Sequence, residues 1–464
     1  MEYCQMWRSW VEPIVAGAQL ASSFYDTGLL LVVKNYFNHS TSSAMAPTDK
    51  EQQIAISNFY IINNLLFGLC PLATAYVLAW LGDRKHHKIT ICVPLFGYLV
   101  SRLFLLLVIL LDWPIEVMYG SAALNGLTGG FTTYWAGIMA LGSLNSSERG
   151  RSRRLIIIEL TYGLAGFIGS LASGHIFVHF NVSYHHGTVL VSCSLTFYLF
   201  CVIYSIFVLK VPRGGGGGNG NSAPNLASGG ISRRQWVEQT ERTKLLDGGP
   251  EQSSSLIRDE RQRMGPPSKA IIALFFTSAV LYDLAVVGAV DVLPLFLIKK
   301  PLEWGAVYIG YSNAAGYMIF ITSFLGVFIF SRYFRDTTMI MIGMASFSAG
   351  IFIMAYVRWT FLYFIARAVM LFSIIPHPTI RSSLSKLVKG SSYGKIFVVL
   401  QLSLTVSGVV SSTVYNMIYQ DTLEWFSGFC FLLSFVIGII SIIPISIIAY
   451  KMSSRPAPDR VSED

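Results

Sequence analysis

Seven charged side chains in this sequence lie where their surroundings are apolar. Asp283 and Asp291 fall in the run 270–298, Asp26 in 13–34, Arg102 in 89–111, Glu159 in 155–178, and Arg367 and Arg381 in 360–385. The run AIIALFFTSAVLYDLAVVGAVDVLPLFLI is long enough to cross a bilayer, for which about 20 apolar residues suffice. An aspartate at the centre of such a helix costs roughly 2.5–3.5 kcal/mol on insertion scales. A chain that carries this penalty turns the charge into a bundle interior or a watery cavity. The chemistry open to it there is ion pairing, anion attraction and proton transfer. Asp283 also has a counterpart: Tyr282-Asp283 stands about 14 residues into its run, and Tyr25-Asp26 about 13 residues into the first run. A Tyr-Asp pair at matching depth, once in each half, suggests an internal repeat.

The elements that must position these groups are helices. The chain is 53% hydrophobic and 13% charged, against about 25% charged in soluble domains. Its apolar runs have helix length, so the fold class expected is all-α and integral to a membrane. Twelve transmembrane spans are expected at roughly 13–34, 56–80, 89–111, 115–143, 155–178, 187–209, 270–298, 306–330, 338–357, 360–385, 394–419 and 425–450. Six lie on each side of a Gly- and Ser-rich stretch. The domains follow: an N-terminal six-helix half over 1–210, a flexible cytosolic linker over 211–268, a C-terminal six-helix half over 269–452, and a cytosolic tail over 453–464. The linker holds Glu241-Arg-Thr-Lys-Leu245-Leu246, which has the form of an acidic dileucine sorting signal or of a short frayed helix.

The net charge of +9 does not imply a nucleic-acid partner, because Lys and Arg collect in particular short loops. GDRKHHK at 82–88, RGRSRR at 149–154, Arg332 with Arg335, and Lys386, Lys389 and Lys395 fall on one side with both termini. The positive-inside rule makes that side cytosolic. Lys299 and Lys300 are exceptions on the outer side. Glycosylation sequons at Asn38 and Asn181 fall outside, and Asn38 is the stronger of the two; a third at Asn145 falls inside. Six cysteines show no CxxC or CxxH spacing, so no metal site and no disulfide framework is implied. An embedded enzyme would need a paired histidine and acid or a metal-ligand set, and the sequence offers neither. No cofactor is expected beyond a coupling proton.

The loop between spans two and three reads A-x-x-x-D-R-x-x-x-K, from Ala79 through Asp83-Arg84 to Lys88. It resembles the charged loop signature of the major facilitator superfamily, a latch between cytosolic helix ends, with His86 and His87 at positions that are Gly and Arg there. A closer resemblance covers nearly all the chain except the linker. Val11-Glu12-Pro13, LNGLTGGFTTYW from Leu124, PLEW from Pro301, Ile309-Gly310-Tyr311 and RSSLSKLVK from Arg381 are similar to solute carrier family 46, the family of the proton-coupled folate transporter. The resemblance implies the facilitator fold, with a substrate cavity between two six-helix halves lined by the first, fourth, seventh and tenth spans.

Those spans make Asp26, Asp283, Arg367 and Arg381 the cavity candidates, with Asp291 towards the outer end. Arg102, on the third span near the midplane, is expected to support a carboxylate, with Asp283 one candidate. The family map is partial. Glu159 matches the glutamate associated with proton coupling in the folate branch, and Arg381 matches an arginine at the end of span ten. The histidine of span seven aligns with Val286, and the aspartate of span four has no equivalent, which puts folate itself in doubt. The expected function is proton-coupled transport of a small organic anion of the folate-like, cyclic dinucleotide or muropeptide class, in the plasma membrane or an endolysosomal membrane. The alternative is a transporter-like receptor or scaffold without net transport. His175 and His377 are read as packing residues, with proton sensors the alternative, Pro376 and Pro378 as a bend or break in span ten, and Gly126, Gly129, Gly130, Gly163, Gly166 and Gly169 as sites of close helix contact.

Overall fold

The structure, a computed structural model, describes residues 10–39, 49–84, 88–144, 151–180, 187–209, 269–331, 333–387 and 392–453. Every regular element among them is helical: α1 Glu12–His39, α2 Asp49–Arg84, α3 Ile89–Leu111, α4 Val117–Leu127, α5 Gly130–Leu144, α6 Arg151–Phe180, α7 Thr188–Ile203 continued by a π-turn Tyr204–Val208, α8 Lys269–Ile298, α9 Ala306–Phe330, α10 Asp336–Ala355, α11 Thr360–Val369, α12 Pro376–Leu387, α13 Ser392–Thr422 and α14 Phe429–Ser453. Among the described residues, eight helices are long and apolar enough to cross a membrane. Helices α1 and α13 are long but thick with Ser, Thr, Gln and Tyr. The linker, the inner sequon at Asn145, the outer sequon at Asn181 and the tail from 454 lie outside the described residues.

The helices group into two compact units. The first takes the helices up to the π-turn together with Leu293–Tyr317; the second takes the rest of α8 and everything from Met318 onward. In the first, α1 packs on α6 and α7, and α3 on α4, α5 and α7. Its core runs from Val11, Ile14 and Val15 through Leu95 and Ile138 to Tyr198 and Cys201, all buried. In the second, α10 packs on α14, α11 and α12. Helix α8 is joined to α13 by hydroxyls: Ser411 Oγ donates to the Leu284 carbonyl at 2.7 Å and Ser407 Oγ to that of Val280 at 3.5 Å.

Two expected spans are interrupted. The break in 360–385 is the one that Pro376 and Pro378 predict. Helix α11 ends at Val369 and α12 opens on Pro376, a residue suited to the first helical position because its missing N–H would be unpaired there in any case. The break in 115–143 has a different cause from the packing role expected of its glycines. Gly129 and Gly130 have φ of 97° and 53°, a left-handed backbone that costs other residues roughly 1–2 kcal/mol each. These two glycines turn the chain from α4 into α5. On α6 the close helix contact expected of the glycines is seen at Gly166 and Gly169. A methyl group on Gly166 would strike the Tyr317 ring of α9, whereas one on Gly169 would meet Ser23 of α1. A spacing of three leaves the two glycines about 60° apart on the helix, so they share a side that Ser23 also reaches through the Gly166 carbonyl.

Candidate functional site

The first unit holds a cation in an aromatic cage. Arg102 of α3 is 2% exposed. Its guanidinium carbon lies 3.8 Å from the ring centre of Tyr25, 4.8 Å from that of Tyr98 and 4.9 Å from that of Tyr198. The rings come from α1, α3 and α7, and Tyr98 and Tyr198 stack on each other at 5.4 Å. Aromatic faces attract a cation by about 2 kcal/mol or more once water is excluded. Nε and Nη1 of Arg102 are buried and have no hydrogen-bond partner. The acidic group acting on this cation is Asp26, which Ser22 hydrogen-bonds. Asp26 itself is exposed. The phenols of Tyr60, Tyr162 and Tyr317 all lie within its electrostatic range. The exposed carboxylate thus has tyrosines of α2, α6 and α9 around it. Tyr162 packs on Trp135 at 5.0 Å and Tyr317 at 6.1 Å, and Gln19 bonds the Tyr317 hydroxyl.

In the second unit the equivalent dipeptide is built differently. Asp283 is 9% exposed, accepts a hydrogen bond from Ser407 of α13, and has Arg381 of α12 as its charged neighbour. Arg381 also acts on His377, one turn earlier. Of the carboxylates open to Arg102, the one that acts on it is Asp26, and the cation that acts on Asp283 is Arg381. Tyr282 does not hold a cation. Its hydroxyl donates to the Ser373 carbonyl within the break between α11 and α12. Its ring packs on Phe347 and His377, each at 5.4 Å, so His377 has the packing role expected of it. Other hydroxyls secure the same break. Thr322 and Ser323 of α9 donate to the Leu371 carbonyl at 2.8 and 2.9 Å, and Ser346 of α10 to that of Val369 at 2.6 Å. A broken helix frees carbonyls that would each cost several kcal/mol unpaired in a membrane. Here, protein hydroxyls take up those of Val369, Leu371 and Ser373.

The remaining predicted residues are scattered. Asp291, two turns from Asp283 on α8, is hydrogen-bonded by Ser412. Arg367 lies in the last turn of α11, 5.8 Å from the Tyr363 ring centre. Glu159 is half-buried on α6. Arg154, also on α6, lies 3.5 Å from Glu12 of α1. His175 is exposed and its Nε2 lies 3.1 Å from the Tyr311 hydroxyl. Asn38 is exposed and lies in the last turn of α1, not in the following loop where it was expected. Of the latch, the Asp83 and Arg84 side chains lie outside the described residues. Lys88 Nζ donates to the Ile206 carbonyl at 3.2 Å, a group in the π-turn that closes α7. The outer-side exception Lys300 is offset locally by Glu303 at 3.7 Å.

Two features were not anticipated from the sequence. One is the tyrosine cage, whose rings come from helices far apart in the chain. The other is Asp336 at the start of α10, whose Oδ2 accepts a 3.0 Å hydrogen bond from Ser383 of α12 and so ties down the helix that carries Arg381. Only a polar residue three positions ahead of an apolar run marked Asp336 in advance.

The profile of the Major Facilitator Superfamily matches residues 27–412. Solute carrier family 46 member 2 of Canis lupus familiaris is 54% identical over 460 residues, covering 96% of this chain and 94% of that protein. The Mus musculus protein of the same name, the thymic stromal cotransporter, is 50% identical and covers 98% and 95%. A more distant relative, 28% identical with 89% and 84% covered, is the Gallus gallus lysosomal proton-coupled steroid conjugate and bile acid symporter SLC46A3. Among solved structures, the POT family transporter PepTSo superposes with a TM-score of 0.62 at 11% identity, over 96% of this chain and 98% of that one. Matches of this length and identity, on a frame of paired charges within apolar helices, place the chain in the major facilitator superfamily as a member of solute carrier family 46.

Proposed function

We propose that this chain is a twelve-span secondary active transporter with cytosolic termini. It moves a small organic anion across a membrane by alternating access, coupled to protons. The observation that carries the reading is the set of Asp283, Ser407 and Arg381 inside the second unit. A cation within a membrane span is the chemistry that draws an anion out of water. A carboxylate beside it is the chemistry that accepts a proton and gives it up again. Arg381 takes the anionic group, Arg367 attracts it at the outer mouth, and Asp283 carries the proton from an acidic exterior to the cytosol. Glu159 and Asp291 are further carboxylates on the proton path. The proton-coupled symport named for the family-46 relative supports the coupling.

The site of action is the plasma membrane, with the endolysosomal membrane as the second location, which the lysosomal relative favours. The test is uptake of a panel of organic anions into cells at about pH 5.5 and about pH 7.4. The parent chain should take up at least one anion, faster at the lower pH. Binding of such an anion without uptake would identify a receptor instead.

A further inference from the structure

The chemistry of the first unit points to an anion as well. We propose that Arg102 is the core of a second oxyanion subsite and that the Asp26 carboxylate masks it. The proposal rests on the transport reading only for its purpose; the binding it describes can be measured without transport.

Three observations carry it. The guanidinium is held by ring faces, which satisfy its charge, while Nε and Nη1 are left without hydrogen-bond partners. Arginine presents its donors in a planar fork that matches carboxylate, sulfonate and phosphate oxygens two at a time. Asp26, the acidic group that acts on this cation, is on the exposed side of the pair. While Asp26 is ionised the pair is neutral as a whole and a second anion gains little by approaching. When a proton or a neutral side chain removes that charge, the first unit presents an uncompensated guanidinium, and the field around it becomes attractive to an oxyanion. The other titratable groups facing the pair are phenols, Tyr60 from α2, Tyr98 from α3, Tyr162 from α6, Tyr198 from α7 and Tyr317 from α9, together with Tyr25 beside Asp26. Phenols ordinarily titrate near pH 10, so the Asp26 carboxylate is the group here whose charge acid can remove. The aromatic rings also suit a ligand whose anionic group is attached to a ring.

The experiment uses the purified full chain in detergent, in an Arg381→Ala background that removes the anion partner of the second unit. The probe is benzenesulfonate, which stays ionised at both pH values, so any pH dependence belongs to the protein. Neutral benzenesulfonamide is the control. The Arg381→Ala protein should bind the sulfonate more tightly at about pH 5.5 than at about pH 7.4. Adding Asp26→Asn should raise affinity at the higher pH by roughly tenfold or more and remove the pH dependence. Adding Arg102→Gln should abolish binding at both. Arg102→Lys keeps the charge while losing the fork; it should bind weakly but retain the response to Asp26→Asn, which guards against an Arg102→Gln protein that fails to fold. The proposal is overturned if Asp26→Asn leaves sulfonate affinity unchanged, or if folded Arg102→Gln protein binds as well as its parent. Intact sulfonate binding in a chain that takes up no anion would sink the transport reading and leave the subsite standing.

Discussion

Tyr25-Asp26 and Tyr282-Asp283 are the same dipeptide at the same depth of two helices, and the molecule uses them differently. In the first unit the tyrosine ring is the seat of a cation and the aspartate is exposed. In the second the tyrosine hydroxyl holds a break in another helix, and the aspartate is buried beside an arginine. The arginines come from non-equivalent places, the third span and the tenth. The two aspartates share their level along the helix, and the partners around them differ. In the second unit the carboxylate, the arginine and the broken helix form one connected structure. In the first the charge pair is separate from the break between α4 and α5, where Gly129 and Gly130 supply the left-handed backbone and the hydroxyls of Thr74 and Thr128 donate to the Gly126 and Asn125 carbonyls.

Substitutions can break that comparison or sharpen it. The largest effect is expected from Arg381→Ala, which should reduce uptake by about a hundredfold or more at unchanged surface expression, the loss typical of removing one partner of a buried charge contact. Arg381→Lys should recover little, because a point charge does not reproduce a bidentate contact. Cell-surface biotinylation alongside uptake separates this from misfolding; near-normal uptake by the alanine protein removes Arg381 from the site. Next is Asp283→Asn, which mimics the protonated acid. It should abolish the acid stimulation of uptake while exchange independent of pH persists. Asp26→Asn, read in the same assay, should leave part of that stimulation. Identical flattening in both would make the two aspartates one functional unit and erase the contrast.

The tyrosines give a smaller and purely structural contrast. Tyr282→Phe leaves the Ser373 carbonyl without its donor and should destabilise the protein by about 1–3 kcal/mol, read as a lower Tm in detergent. Tyr25→Phe keeps the ring face under Arg102 and should lose less than about 1 kcal/mol. Equal losses would show that the cage depends on the Tyr25 hydroxyl, which hydrogen-bonds Ser101. Smallest is Asn38→Gln, which should remove one glycan, seen as a mobility shift on a gel, with uptake unchanged.

Much of this was legible in the sequence, and the limit has a physical form. Residue count along a helix fixes height at about 1.5 Å per residue, so the levels of Asp26, Arg102 and Asp283 could be read directly. Azimuth and neighbouring helix could not, which is why the sequence left open which carboxylate Arg102 accompanies. The break at Pro376 was legible because proline announces it, through both a missing donor and a steric clash. The break at Gly129-Gly130 was not, because glycine serves close packing and left-handed backbone equally well. The cage of Tyr25, Tyr98 and Tyr198 left no local trace, since each tyrosine alone is an ordinary aromatic in an apolar helix.

The stacked phenols of Tyr98 and Tyr198, 5.4 Å apart and inclined by 21°, have an optical consequence. Two identical chromophores this close, held in a chiral setting with a fixed cation against their faces, couple their electronic transitions. They should contribute a near-ultraviolet circular dichroism band that scattered tyrosines do not give. Any event that draws Arg102 away from them changes that band. The protein thus carries an intrinsic, label-free reporter of its own buried charge, readable in the same cuvette as a titration.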